Sequence, residues 1–349
     1  MRSKRLISVL GSGLLMLAPL IACAAGVGSH AVVFVYHHFG VDEHPSTNVR
    51  LDQLEAHTVA LTMDDAYLSV YTEAYPRLRG RGWPFTVFVS TDHIDRGYDN
   101  FVSTDHIDRG YDNYMSWDPM REMQRRGATF ANHSASHGHL IRRRNGKDRA
   151  VWARRVRADI RRAQSRLEEE LGAAPALFAY PFGEYGEALA EIVAELGLAG
   201  LGQHSGAIGG HSDLRALPRY PMAGAYAGLE QFRTKAASLA LPVVRVEPWD
   251  PVLEGETRPR MVAALAPSDT DLDRLACFAS GQGRIPVERL GDGACRFATR
   301  AEAALPAGRS RYNCTAPSQQ AERFSSPMSP ASSHRDATRR GATARCSTS

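Results

Sequence analysis

The sequence predicts a parallel α/β architecture, either a barrel or an open wound sheet. Two observations carry this: apolar runs of strand length alternate with segments of helical period, and polar residues gather where the runs end. The runs fall at 32–36, 59–63, 85–89, 128–131, 177–180, 199–202 and 216–219. With 349 residues and 43% hydrophobic content, the chain has room for one large domain, a smaller one and their cores.

In chain order, Arg2, Lys4 and Arg5 precede an apolar stretch at 6–22 and the small-residue site Ala22-Cys23-Ala24. This pattern predicts a secretory leader over residues 1–24, hence a secreted or periplasmic protein. The apolar stretch is shorter than a comfortable membrane span. Leu20-Ile21-Ala22-Cys23 also resembles a lipoprotein processing site, so membrane attachment is expected only if Cys23 is lipidated. Loss of the three basic leader residues lowers the formal charge from +4 to +1, and no nucleic-acid partner is implied.

The first run, 32–36, leads straight into His37 and His38. The connection to the second run is short for a parallel crossover, with helical pattern only over 49–57. The second run ends in Asp64 and Asp65. Adjacent carboxylates repel each other, and at the end of an apolar strand they persist when a cation, a proton or a helix N-terminus compensates them.

The third run opens a tandem duplication, FVSTDHIDRGYDN at 88–100 and again at 101–113. Two copies are too few for a solenoid, and only the first can directly follow a strand. A helix is predicted over 148–171, with Trp152, Val156, Ile160, Ala163, Leu167 and Leu171 on one face and its arginines on the solvated side.

Polar residues follow most of the runs: His37 and His38, Asp64 and Asp65, Asn132 and His133, Pro181 to Glu184, and Gln203 and His204. In a parallel barrel such strand ends converge on one face, where active sites are built. From about residue 242, short strand-like runs sit among Pro, Gly and Asp, which predicts a β-rich second region over 241–323. The residues from 324 to 349 lack periodicity and are expected to be disordered. In an oxidising compartment Cys277 could pair with Cys314 or with Cys295.

The most informative constellation is NHSASH, where His133 and His137 have the spacing to share one side of a helical turn or compact loop. Two histidines and a carboxylate leave open positions on a divalent ion. Asp65 is the natural third ligand, and Asp64 beside it would be free to accept a proton from water.

In order and context, TMDD, NHSASH and FAYPFGEY resemble the first three motifs of the polysaccharide deacetylases, carbohydrate esterase family 4 or the NodB-homology domain. CFASGQG and GRSRYNCTAPS resemble the β-rich accessory region of a secreted bacterial subgroup. The resemblance implies an α/β fold, a distorted (β/α) barrel of the NodB-homology type over 31–240, followed by the small β-rich domain. It also implies metal-dependent removal of N-acetyl groups from an N-acetylglucosamine-containing cell-wall polymer or exopolysaccharide.

By the same resemblance Asp65, His133 and His137 would hold zinc, or cobalt or nickel, and Asp64 would be the general base acting on metal-bound water. Tyr180, Phe182 and His37 would provide substrate or oxyanion contacts. The arginine that orients the base in many relatives is missing before the third motif, and Arg219 is the expected substitute. The usual late histidine motif is not obvious. His204 is the first expectation for the acid that protonates the leaving amine, and His37 is the second. The short crossover, the duplication and the atypical tail motivate an alternative, a catalytically impaired carbohydrate-binding homologue on the same fold.

Overall fold

The computed structural model describes residues 30–39, 48–49, 60–96, 114–143, 148–253, 255–291, 295–318 and 324–325. The leader, most of the first crossover, the second copy of the duplication and the tail beyond 325 lie outside the described residues.

Seven parallel strands form the central sheet: β1 (Val33–Tyr36), β4 (Ala60–Asp64), β5 (Phe85–Val89), β6 (Thr129–Asn132), β7 (Leu177–Ala179), β8 (Ala199–Leu201) and β9 (Tyr220–Pro221). Their spatial order is β8-β7-β6-β5-β4-β1-β9. The short strands β2 (His38–Phe39) and β3 (Asn48–Val49) pair separately, also in parallel. Helices α1 (Tyr75–Gly80), α2 (Thr91–Asp95), α3 (Trp117–Gln124), α4 (Arg149–Leu171), α5 (Glu187–Glu195) and α6 (Leu229–Ala236) complete a distorted, curled half-barrel.

Alternation along the strands sorts side chains between two environments. On β4, Leu61 and Met63 share a core with Val70, Leu78, Met120 and Met123 from the helical segments. Thr62 and Asp64 point the other way and meet the Arg219 side chain. A second small core of Phe88, Ala131, Ala179, Leu201 and Leu217 lies beside them.

The predicted long helix is α4, and its buried residues are the six apolar positions of its predicted stripe. Asp148 caps its first turn by accepting a hydrogen bond from Ala150 N–H, and Gly172, at φ 77°, ends it in the left-handed conformation that glycine tolerates. One expected strand is displaced. Leu217 instead lies against the edge of β8, where it exchanges backbone hydrogen bonds with Gly200 and Gly202, and β9 begins one residue after Arg219.

The C-terminal region is β-rich, as expected. One antiparallel sheet contains β10 (Val243–Glu247), β11 (Met261–Leu265), β14 (Val287–Arg289) and β15 (Arg296–Thr299). The other contains β12 (Ala276–Ala279), β13 (Gly283–Ile285), β16 (Tyr312–Pro317) and β17 (Phe324–Ser325). Of the two pairings open in the sequence, the structure forms Cys277–Cys314, at directly opposed positions of β12 and β16.

Candidate metal centre

The strand ends of the barrel bring Asp65, His133 and His137 together, with Asp64 beside them. Asp64 is the last residue of β4, and Asp65 turns sharply away from it at φ 73°. His133 follows β6 directly. NHSASH forms a compact loop rather than a helix, with Ser134 at φ 66° and His137 at φ 48°. All five non-glycine residues at positive φ among the described residues, Asp65, Ala66, Ser134, His137 and Phe182, belong to this site or adjoin it. Such conformations are costly and persist where the surrounding structure imposes them.

Hydrogen bonds hold the NHSASH loop in its two such conformations. Asn132 Nδ2 donates to Ile160 O at 2.9 Å, and Asn132 Oδ1 accepts from Ser134 N–H at 2.9 Å. Asp159 on α4 accepts from the N–H groups of Ala135 and Ser136, at 2.8 and 3.2 Å. Ser134 Oγ accepts from His137 N–H at 3.0 Å. Asp159 escaped the sequence reading because an acid on the polar face of a helix carries no signal of its backbone partners.

Asp65, His133 and His137 form a three-residue group whose ligand atoms all lie within 4.8 Å of one another. Asp65 Oδ1 is 3.3 Å from His133 Nε2 and 3.0 Å from His137 Nε2. Asp65 Oδ1 is buried, and neither of these contacts meets hydrogen-bond geometry, so three potential ligand groups crowd around one point. A tetrahedral ion with bonds of about 2.1 Å separates its ligand atoms by roughly 3.4 Å, close to these spacings. His133 Nδ1 lies 2.8 Å from Ala179 O, to which it donates, and this orients Nε2 towards the cluster. The donor set therefore fits a divalent cation.

Burial pushes the Asp65 carboxyl up, but the charge and hydrogen-bonding capacity of the two imidazoles outweigh it and hold Asp65 well below the usual carboxylate range. For His133 burial acts downward, and Asp65 and Asp64 reverse it, leaving this imidazole above its ordinary value. Both shifts describe a cluster in which a positive charge is favoured.

Asp64 is wholly buried and locked by Arg219: Nη1 donates to Oδ1 and Nη2 to Oδ2, each at 2.8 Å. Arg219 also donates from Nε to Gly202 O at 2.8 Å and from Nη1 to Thr62 Oγ1 at 3.1 Å, with its guanidinium 5.3 Å from the Phe88 ring centre. Burial raises the Asp64 carboxyl, but Arg219, His133 and His37 together hold it below the ordinary value. Gln203 Nε2 approaches Asp64 Oδ2 at 3.4 Å and is a further neighbour of the carboxylate.

The remaining expected residues divide. His37 is half-buried beside the cluster: burial lowers its pKa, Asp64 and Asp65 act to raise it, Arg219 and His133 act with burial, and it lies below its ordinary value. Phe182 is at φ 59°, with its ring 4.6 Å from His137 and stacked at 4.1 Å on His139, and His139 pairs with Glu184 at 2.7 Å.

Two placements differ from expectation. Tyr180 uses both its donors within the fold, its N–H bonding Leu201 O at 3.0 Å and its hydroxyl bonding Arg215 O at 2.7 Å. His204 sits beyond Arg219 and lines a cavity against the C-terminal region. Burial, with Arg311 and Arg219 nearby, pushes it down to about 4, and no carboxylate counteracts them.

Residues 52–201 match the family model described as polysaccharide deacetylase. Residues 52–201 thus carry the pattern of a polysaccharide deacetylase domain, and a β-rich region lies beyond them. Among solved structures, it is similar to a Streptococcus pyogenes deacetylase in complex with acetate, at 20% identity and TM-score 0.49, covering 60% of this chain and 99% of that one. It is also similar to a de-N-acetylase from Aggregatibacter actinomycetemcomitans, at 14% identity and TM-score 0.48, covering 59% and 100%. A third similar structure, IcaB from Ammonifex degensii, has 20% identity and TM-score 0.44, covering 60% and 98%. No curated protein sequence matches the chain.

Proposed function

We propose that the chain hydrolyses N-acetyl groups of a polysaccharide, an N-acetylglucosamine-containing cell-wall polymer or exopolysaccharide, in a metal-dependent reaction. The observation that carries this reading is the convergence of Asp65, His133 and His137 beside a separate carboxylate, Asp64, held by its own cation. Asp65, His133 and His137 would hold a divalent ion, zinc foremost, with cobalt or nickel as alternatives; when bound, it polarises the acetyl carbonyl and acidifies water.

Asp64 takes the proton of the attacking water at a carboxylate oxygen. Arg219 fixes both oxygens and keeps the carboxylate ionised, and so plays the part of an orienting arginine. The Phe182 backbone, held in an unusual conformation beside His137, supplies the N–H for the developing oxyanion. His37 rather than His204 protonates the leaving amine, because Asp64 and Asp65 beside His37 favour its protonated form against Arg219, whereas no carboxylate acts on His204. Secretion or periplasmic residence belongs to the same reading, since the polymer lies outside the cytoplasm.

The test is acetate release from acetylated chito-oligomers by the mature chain with added zinc or cobalt. Release is expected from the parent chain. Release that persists at the parent rate in Asp64→Asn would overturn the assignment of the base. Glycan binding without any release would instead favour the carbohydrate-binding alternative.

A further inference from the structure

Between the barrel and the C-terminal β-rich region lies a cavity of about 540 Å³, lined by His204 and Tyr185 on one side and by Trp249, Phe297, Arg311 and Tyr312 on the other. Its size falls within the range of small-molecule sites. Its charges are unevenly satisfied. Asp213 pairs with Arg215 at 2.7 Å and accepts from Trp249 Nε1 at 2.9 Å. Arg245 pairs with Glu247. Asp250 accepts from Val252 N–H at 2.9 Å.

Asp250 has no cation partner among the described residues, and Arg311 is the unmatched cation. Its backbone N–H donates to Ser280 Oγ at 2.8 Å, but no carboxylate or carbonyl among the described residues accepts from its guanidinium. The group is half-buried, and both burial and the neighbouring Arg309 disfavour its charge. The nearby His204 can supply no negative charge to balance it. A half-buried cation facing a cavity, with a second cation beside it and no carboxylate paired with it among the described residues, is an unfavourable arrangement that an anionic ligand would relieve.

The cavity adjoins the candidate centre. Gln203, adjacent to His204, reaches Asp64, and Arg309 on the same turn as Arg311 donates to Phe182 O. A polymer with one sugar at the metal cluster would carry its neighbouring units towards this cavity, whose wall includes the aromatic rings of Tyr185 and Trp249.

We propose that the cavity binds the carboxylate of an acidic sugar unit near the acetylated one, with Arg311 as its counter-ion. The natural substrate is then an anionic glycan, one bearing uronic acids or other carboxylated sugars. That the ligand is part of the deacetylated polymer rests on the deacetylase reading, but the carboxylate site does not.

The test measures binding of D-glucuronate, D-glucose and inorganic phosphate to the mature full chain by calorimetry at constant ionic strength, without added metal. It is repeated with Arg311→Met and Arg311→Lys. Glucuronate should bind at least tenfold more tightly than glucose or phosphate. Arg311→Met should lose at least tenfold, and Arg311→Lys should retain part of the affinity. Because an unpaired cation does not support the fold, Arg311→Met should melt no lower than the parent.

Equal binding of glucose or phosphate, unchanged glucuronate binding in Arg311→Met, or a variant that fails to fold would each overturn the proposal. The two readings fail separately. Deacetylation of neutral oligomers without glucuronate binding defeats only this inference, and glucuronate binding without acetate release defeats only the deacetylase reading.

Discussion

Removing the Arg219 guanidinium while keeping its bulk, as in Arg219→Met, tests the electrostatic design of the centre most directly. Both partners of the Arg219–Asp64 pair are 0% exposed. The variant leaves a buried carboxylate without its counter-charge and leaves Gly202 O and Thr62 Oγ1 without this donor. Breaking a buried pair from one side costs about 3–5 kcal/mol. At about 2–4 °C per kcal/mol for a domain of this size, the barrel transition should fall by roughly 6–20 °C.

The assay is thermal unfolding in chelator, so that metal binding does not contribute to the melting temperature. The double variant Asp64→Asn/Arg219→Met removes the stranded charge and should recover at least about 2 kcal/mol relative to Arg219→Met alone. A loss below about 1 kcal/mol for the single variant, or a double variant as unstable as the sum of the two single changes, would refute the view that the two charges compensate each other.

Other consequences are equally open to measurement. His133→Ala should abolish stoichiometric zinc or cobalt in elemental analysis of the reconstituted chain, whereas Asp64→Asn should keep the metal and lose about 10²–10⁴-fold in acetate release. Reduction of Cys277–Cys314, whose cysteines are 37 residues apart, should destabilise the β-rich region by about 4 kcal/mol, measured by denaturant unfolding with and without reductant.

Lys235 is buried on α6 and donates to Pro221 O and Tyr226 O, each at 3.0 Å. Burial pushes it from 10.5 down to about 8. The folded chain therefore binds fewer protons than the unfolded chain between these values, and this group's contribution to stability rises with pH across that window, by about 3 kcal/mol in all. The difference in unfolding free energy between the parent and Lys235→Met should shift by that amount between pH 8 and 10.5, and a flat difference would contradict it.

Much of this architecture is legible in the sequence because it depends on local pattern. The α4 stripe, the strand at 85–89 and the strand ends at Asp64 and His133 all follow from periodicity and from polar residues placed after apolar runs. NHSASH conveys the ligand spacing, although not the loop conformation or its dependence on Asp159. What escaped the sequence depends on long-range direction. His204 and His37 are both histidines at strand ends near Arg219, and only the three-dimensional course of the chain gives His37 two carboxylate neighbours and His204 a second arginine instead. Tyr180 is similar: its place in YPFGEY suggests the site, but strand alternation and the Arg215 carbonyl direct its hydroxyl into the fold.

The Asp64–Arg219 pair spans 155 residues of chain, and Arg219 directly precedes β9, the strand that pairs with β1 at the edge of the sheet. Contacts this distant in sequence form slowly, because a long loop must first close. A chain emerging N-terminus first presents Asp64 long before the cation that balances it. Docking of the last barrel strand is then also the moment at which the carboxylate beside the Asp65–His133–His137 group becomes fixed, so the candidate site and the completed fold arrive in one event.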